Sequence, residues 1–140
     1  MVDPHRVREL LDHIEEETGH LLRLRALGAQ VLDDPDRLRA VKYGFVVAIE
    51  AAIDVGQHII SSEALEAVDS FADIFEVLGR HGFVPVDLAP RLMEMARFRN
   101  LLVHQYLKVD DTRVLEVLQT SLEDLDAFRR AIAGAIAGDG

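Results

Sequence analysis

Apolar residues along this chain recur at intervals of three and four rather than two, and the pattern is interrupted at a few turn signals. Strand-type alternation is essentially absent, which makes the expected fold class all-α. Asp3-Pro4 opens a first helix, with proline at a tolerated first-turn position. Val7, Leu10, Leu11, Ile14, Leu21, Leu22 and Leu24 form its apolar stripe as far as Gly28. Asp33-Asp34-Pro35 starts a second helix that reaches about Ser61. Residues 63 to 70 read as a connecting loop, and Phe71 to Leu78 as a short helix stopped by Gly79 and Gly82. Val84-Pro85-Val86-Asp87 turns the chain, with Asp87 as N-cap, into a helix carrying Arg99 and His104. Asp110 and Asp111 cap a last helix through about Ala137, and Gly138 to Gly140 is expected to fray. Four long helices and one short one predict an up-down four-helix bundle with an additional short helix. The chain reads as one domain over residues 1–140, with an ordered core of about 3–137.

The second helix is unusual. From Val41 to Ile60 it is apolar nearly all round, as in a central buried helix, yet Glu50, Asp54 and His58 recur at intervals of four and draw one polar line along it. Buried carboxylates are costly unless paired, and the available partners are Arg97 and Arg99. The expectation is that Glu50 or Asp54 receives the Arg99 guanidinium or lies close to a functional cleft. The alternative is a solvated polar edge. The same three residues could ligate a metal, but bundle metal sites draw further Glu and His ligands from facing helices. No metal and no cofactor are expected.

Composition narrows the setting. The 140 residues carry a net charge of −10 and no cysteine, which excludes disulfides and thiolate metal sites and fits a reducing cytoplasm. Apolar runs such as Gly44 to Ile49 are far too short to span a membrane. The charged N-terminus has no secretion signal. Overall acidity argues against a general nucleic-acid coat protein. Between Arg91 and Lys108, however, Arg91, Arg97, Arg99 and Lys108 stand against Glu94 alone. Such a basic cleft in an acidic body could hold one or two phosphates.

That region contains the chain's densest chemistry, Arg99-Asn100-Leu101-Leu102-Val103-His104-Gln105-Tyr106. It offers a forked cation, a carboxamide, an imidazole and a phenol within eight residues. At about 100° per residue, Asn100 and His104 share one face, and Arg99 and Tyr106, seven apart, also fall nearly on one line. Arg99 and His104 would be separated by about 140°. They cannot enter one small pocket of a single chain unless the helix bends or ends near His104. A second copy related by two-fold symmetry would relieve this and make the site composite. The same residues also have a purely structural reading: Arg and His near a helix C-terminus favour its last carbonyls, and Tyr can be a half-buried packing residue.

Arg-x4-His-x-Tyr with Asn directly after the Arg resembles the signature of the HEPN superfamily, and more narrowly of the HepT toxins of HepT/MntA toxin–antitoxin modules. Tyr43, Glu50, Asp54 and His58 in the second helix resemble the same family. So do the Leu92-x-x-Met95-x-x-Phe98-Arg99-Asn100 approach and the closing Leu122-x-x-Leu125-x-x-Phe128. The resemblance covers roughly residues 3 to 130. It implies a HEPN-like bundle that forms a homodimer, and a metal-independent RNase cutting RNA or tRNA at a site made by Arg99, Asn100 and His104 of both protomers. In that scheme Arg99 clamps the phosphate, Asn100 orients His104 or the phosphate, and two copies of His104 act as base and acid. The resemblance also implies that Tyr106 accepts AMP from a MntA-like nucleotidyltransferase antitoxin. Two rival readings are a non-catalytic HEPN nucleotide- or RNA-binding module that partners such a nucleotidyltransferase, and a plain helical scaffold.

Overall fold

A computed structural model of the protein describes residues 1–138. Among these, the elements are α1 (Pro4–Arg25), a 3-10 turn (Gly28–Asp33), α2 (Pro35–Ser62), α3 (Phe71–Arg80), α4 (Ala89–His104), a short 3-10 turn (Tyr106–Lys108), α5 (Asp111–Thr120) and α6 (Leu122–Gly138). No strand is present among the described residues. The all-α class follows, with α1, α2, α4 and the α5–α6 pair as the long members of the bundle. For the expected fraying at the C-terminus, Asp139 and Gly140 lie outside the described residues.

Two of the helix starts follow the local chemistry of the sequence. Asp3 accepts from the backbone N–H groups of His5 and Arg6, and Asp34 does the same for Asp36 and Arg37, each ahead of a proline in the first turn. Two further expectations need correction. Asp87 does not cap α4: Leu88, which is buried, holds the cap position without any side-chain bond, because the backbone N–H groups of Leu88 and Ala89 are taken by the Pro85 carbonyl. The last helix is also two helices. Thr120 Oγ1 donates to the Glu116 carbonyl at 2.7 Å, and the chain breaks at Ser121. Back-bonding of this kind competes with the helical ladder and bends it.

The short helix extends through Gly79 to Arg80. Gly79 is an interior contact residue, since a Cβ there would lie 2.9 Å from Ala89 Cβ. Gly82, at φ +79°, is the true stop, with Phe83 N–H reaching back to the Leu78 carbonyl.

Chain ends and ion pairs give the packing directions. The Met1 ammonium bonds to the Ser62 carbonyl, so α1 begins beside the end of α2. Arg25 pairs with Glu123, and Arg129 with Glu15, so α6 runs antiparallel to α1. α2 is the central element. By length and composition it could cross a membrane, with an 18-residue window of mean hydropathy 1.3. Here its apolar side chains, including Phe45, Ala48, Ile49, Ala52 and Ile59, are buried in the bundle core. Phe45 meets Phe98 of α4 edge-on (centroids 5.6 Å apart, planes at 87°), and Phe75 of α3 meets Phe128 of α6 in the same way. α3 closes tightly on α2 at Gly56, where a Cβ would sit 2.2 Å from Ile74 Cγ2.

Candidate functional site

α4 ends at His104, and the backbone leaves the helical path at Gln105 (φ −134°, ψ 40°). The side chains of the motif are distributed from this helix end. Arg99 points toward α2 and is largely buried, with its side chain 13 % exposed. Its Nη2 donates to Glu50 Oε1 at 2.7 Å and its Nη1 to Asn100 Oδ1 at 3.1 Å, while its plane lies over the Phe71 ring, Cζ 5.2 Å from the centroid. Nε is buried without a partner among the described residues. The desolvation of the guanidinium is offset by a charge-assisted bond to Glu50 and by the aromatic face. Arg97, the other candidate partner, is exposed and turns back to Glu94.

Asn100 and His104 line a cavity of about 390 Å³ between α2, the N-terminus of α3 and the end of α4, together with Gln57, Asp69, Ser70 and Phe71. Arg99 is not among its lining residues. Asn100 and Phe71 therefore link the two groups: each touches Arg99 on one side and borders the His104 cavity on the other.

Tyr106 stands apart. Because α4 ends two residues earlier, Tyr106 does not continue the helical line from Arg99, contrary to the spacing argument. It sits in the following 3-10 turn, 41 % exposed, with the Lys42 ammonium 4.5 Å from its ring centroid. Lys42 is nearly buried and pairs with Asp111 at 3.3 Å. Sequence reasoning passed over this lysine. Its signal was a cation on the core face of the second helix, one residue after Val41 and three before Phe45.

The polar line on α2 divides among three neighbours. Glu50 takes Arg99. His58 Nε2 accepts the Asp3 backbone N–H at 3.0 Å and so ties down the start of α1. Asp54 lies in an open groove between α1 and α2. Partial burial raises its carboxyl above the ordinary value, the charge of Arg6 opposes this, and Glu50 adds to it. A carboxylate whose folded pKa exceeds its unfolded value destabilises the fold when ionised, and that penalty disappears once the pH falls below 3.8. Asp54→Asn is accordingly expected to raise Tm slightly at neutral pH and to lose the advantage at about pH 3, read by thermal melts at the two pH values.

His81 Nε2 lies 2.7 Å from Glu66 Oε1, and Arg80 reaches the same carboxylate at 3.3 Å. The hydrogen bond from His81 holds Glu66 below the usual carboxylate range, with the charges of His81 and Arg80 acting in the same direction. Glu17-x-x-His20 on α1 has a spacing used by metal ligands, but among the described residues no group of three or more His, Asp or Glu side chains is placed to hold a metal ion.

An all-α bundle with an Arg-Asn-x3-His helix end and a tyrosine just beyond it defines the class to which this protein belongs. Residues 9–132 match the Ribonuclease HepT-like family, and the chain is a member of it. It is 33% identical over 79 residues to the mRNA nuclease HepT of Shewanella oneidensis, a match covering 56% of this chain and 59% of that protein. It is 29% identical over 85 residues to the tRNA nuclease HepT of Aphanizomenon flos-aquae, covering 59% and 56%. The matched region thus spans less than two thirds of either relative. Among solved structures, the tri-AMPylated HEPN toxin of Shewanella oneidensis in complex with MNT antitoxin superposes with a TM-score of 0.86 at 25% identity. That match covers 96% of this chain and 99% of the toxin.

Proposed function

We propose that this chain is a HepT-type toxin: a metal-independent endoribonuclease whose site combines Arg99, Asn100 and His104 of two protomers. The observation that carries the reading is the arrangement at the end of α4, where Asn100 joins the Arg99 guanidinium to the cavity bordered by His104. Cleavage in this scheme is attack of a ribose 2′-OH on its own phosphate. It needs a base, an acid for the leaving 5′-oxygen, and a cation for the charge that develops. His104 is exposed and held by no other side chain among the described residues, so its ring is available for proton transfer. One histidine per chain supplies one proton role, and a second copy supplies the other. Leu101 and Val103 near the end of α4 and Leu107 in the turn after it are exposed apolar side chains available to that homodimer.

Tyr106 is the proposed acceptor for AMP from a nucleotidyltransferase antitoxin. Its half-exposed phenol can be reached, and each added phosphate brings negative charge two residues beyond His104 in the chain. Tyr106→Phe is expected to keep nuclease activity and to escape silencing, checked by intact mass and cleavage after incubation with the antitoxin and ATP. Full silencing of the Phe variant would assign control to another acceptor or to binding alone.

A binding module without cleavage is the second reading, favoured by one observation: Glu50 already occupies Arg99. The deciding test is incubation of the purified protein with total RNA or tRNA in EDTA, beside His104→Ala, with intact mass read on the same sample. Cleavage lost in the variant supports the nuclease. An unmodified protein that leaves RNA intact supports the binding module.

A further inference from the structure

We propose that the cavity bordered by Asn100 and His104 is a nucleobase subsite selective for guanine, with Asp69 as the residue that reads the base. Its place beside the scissile phosphate rests on the nuclease reading above. The binding itself does not.

The cavity is within the size range of small-molecule sites, about 300–1,000 Å³, and its lining is mixed in a particular way. Val68 and Phe71 offer apolar and aromatic surface against which a flat ring can lie, with Ile74 buried beneath them. Gln57, Asp69, Ser70 and Asn100 supply polar groups at the rim. Among the described residues, neither Gln57 nor Asp69 is engaged in a side-chain hydrogen bond or an ion pair. Among the described residues no Arg or Lys pairs with the Asp69 carboxylate.

That carboxylate decides the ligand class. It repels a phosphate, so the pocket is unsuited to a second phosphate of the RNA backbone. A carboxylate accepts only, through two oxygens. Of the four RNA bases, guanine alone presents two adjacent donors on one edge, N1–H and the 2-amino group, and can meet both oxygens together. The Gln57 side-chain NH2 donates, and so suits O6 and N7 on the remaining guanine edge, which only accept.

The walls of the cavity are held in place rather than left to a loose loop. Glu66 is tied to Arg80 and His81 at the far end of α3, which anchors the segment leading to Val68 and Asp69. Ser70 Oγ accepts from Asp73 N–H and fixes the start of α3. Gly56 lets Ile74 close on α2 directly beside Gln57. Asn100 and His104 then stand at the same opening, so a base seated here places its sugar and phosphate within reach of the motif.

The test is titration of the purified protein with 5′-GMP, AMP, CMP and UMP in turn, followed by amide NMR shifts that include the side-chain amides of Gln57 and Asn100. Cleavage of short RNAs differing in one guanine is measured in parallel. Shifts confined to the cavity, strongest with GMP and weakened about tenfold or more in Asp69→Asn, are expected. Removing a negative charge should by itself tighten every nucleotide, so a loss restricted to GMP cannot be a charge effect. Asp69→Asn should likewise flatten base preference in cleavage, lowering the rate at guanine relative to the other three bases. Equal shifts with all four nucleotides, or shifts away from the cavity, overturn the subsite. GMP binding in a protein that cuts no RNA keeps the subsite and rejects the nuclease reading. Cleavage without base preference does the reverse.

Discussion

Replacing His104 by alanine is expected to lower RNA cleavage by about 10²–10⁴-fold, the usual contribution of a positioned general acid or base. Folding should be little affected. His104 is exposed at the last position of α4 and bonds to no other side chain among the described residues, so unfolding free energy should stay within about 0.5 kcal/mol of the parent. Arg99→Ala should also abolish cleavage, but it frees Glu50 and uncovers the Phe71 ring, so its effect on stability should be larger. His104 is the cleaner probe for that reason. The composite-site reading makes a further demand. If one histidine is the base and its copy the acid, an equal mixture of parent and His104→Ala chains, allowed to exchange subunits, retains about a quarter of the parent rate rather than half. Retention of about half would mean that each chain acts on its own, and about three quarters that either histidine suffices in the shared site. An Ala variant cleaving at the parent rate would remove His104 from the mechanism.

Phe45→Ala should produce the largest loss of stability of any change discussed here, about 3–5 kcal/mol. Phe45 is fully buried at the centre of α2, and its edge-on contact with Phe98 joins α2 to α4. Phe98 immediately precedes Arg99, so this contact also sets the approach of the guanidinium to Glu50. Urea unfolding gives the first number. A loss of less than about 1 kcal/mol would mean that neighbouring side chains refill the space and that the ring pair is not central to the core. Conditions that keep the variant folded should still show impaired cleavage, because α4 would have lost the contact that fixes its register against α2.

Much of the framework can be read in the chain directly. The three-four spacing of apolar residues, Asp-Pro at two helix starts and the apolar second helix with its polar line all correspond to elements of the structure. That Glu50 or Asp54 would take Arg99 followed from a simple argument, that a carboxylate on a mostly buried helix needs a cation and few were available. The misreadings are informative. Asp87 was an ideal capping residue by type, yet burial of Leu88 and the Pro85 turn placed the helix start beyond it. Thr120-Ser121 carried the signal for a break, since Ser121-x-x-Asp124 has the spacing of a capping box. The apolar periodicity runs on past it and hides the interruption. Tyr106 looked collinear with Arg99 only as long as the helix was assumed to continue.

By itself the sequence determined the all-helical class, the caps of α1 and α2, the family and the residues of the motif. Those depend on neighbours within a turn or two, where spacing alone specifies geometry. Only the tertiary structure decided that Glu50 rather than Asp54 holds Arg99, that His58 secures the start of α1, that Lys42 covers Tyr106, and that Gln57 and Asp69 share a cavity with Asn100 and His104. These are contacts between residues dozens of positions apart. They are set by where helices end and how closely they approach, at Gly56, Gly79 and the Phe45–Phe98 contact, and an amphipathic pattern leaves those distances open.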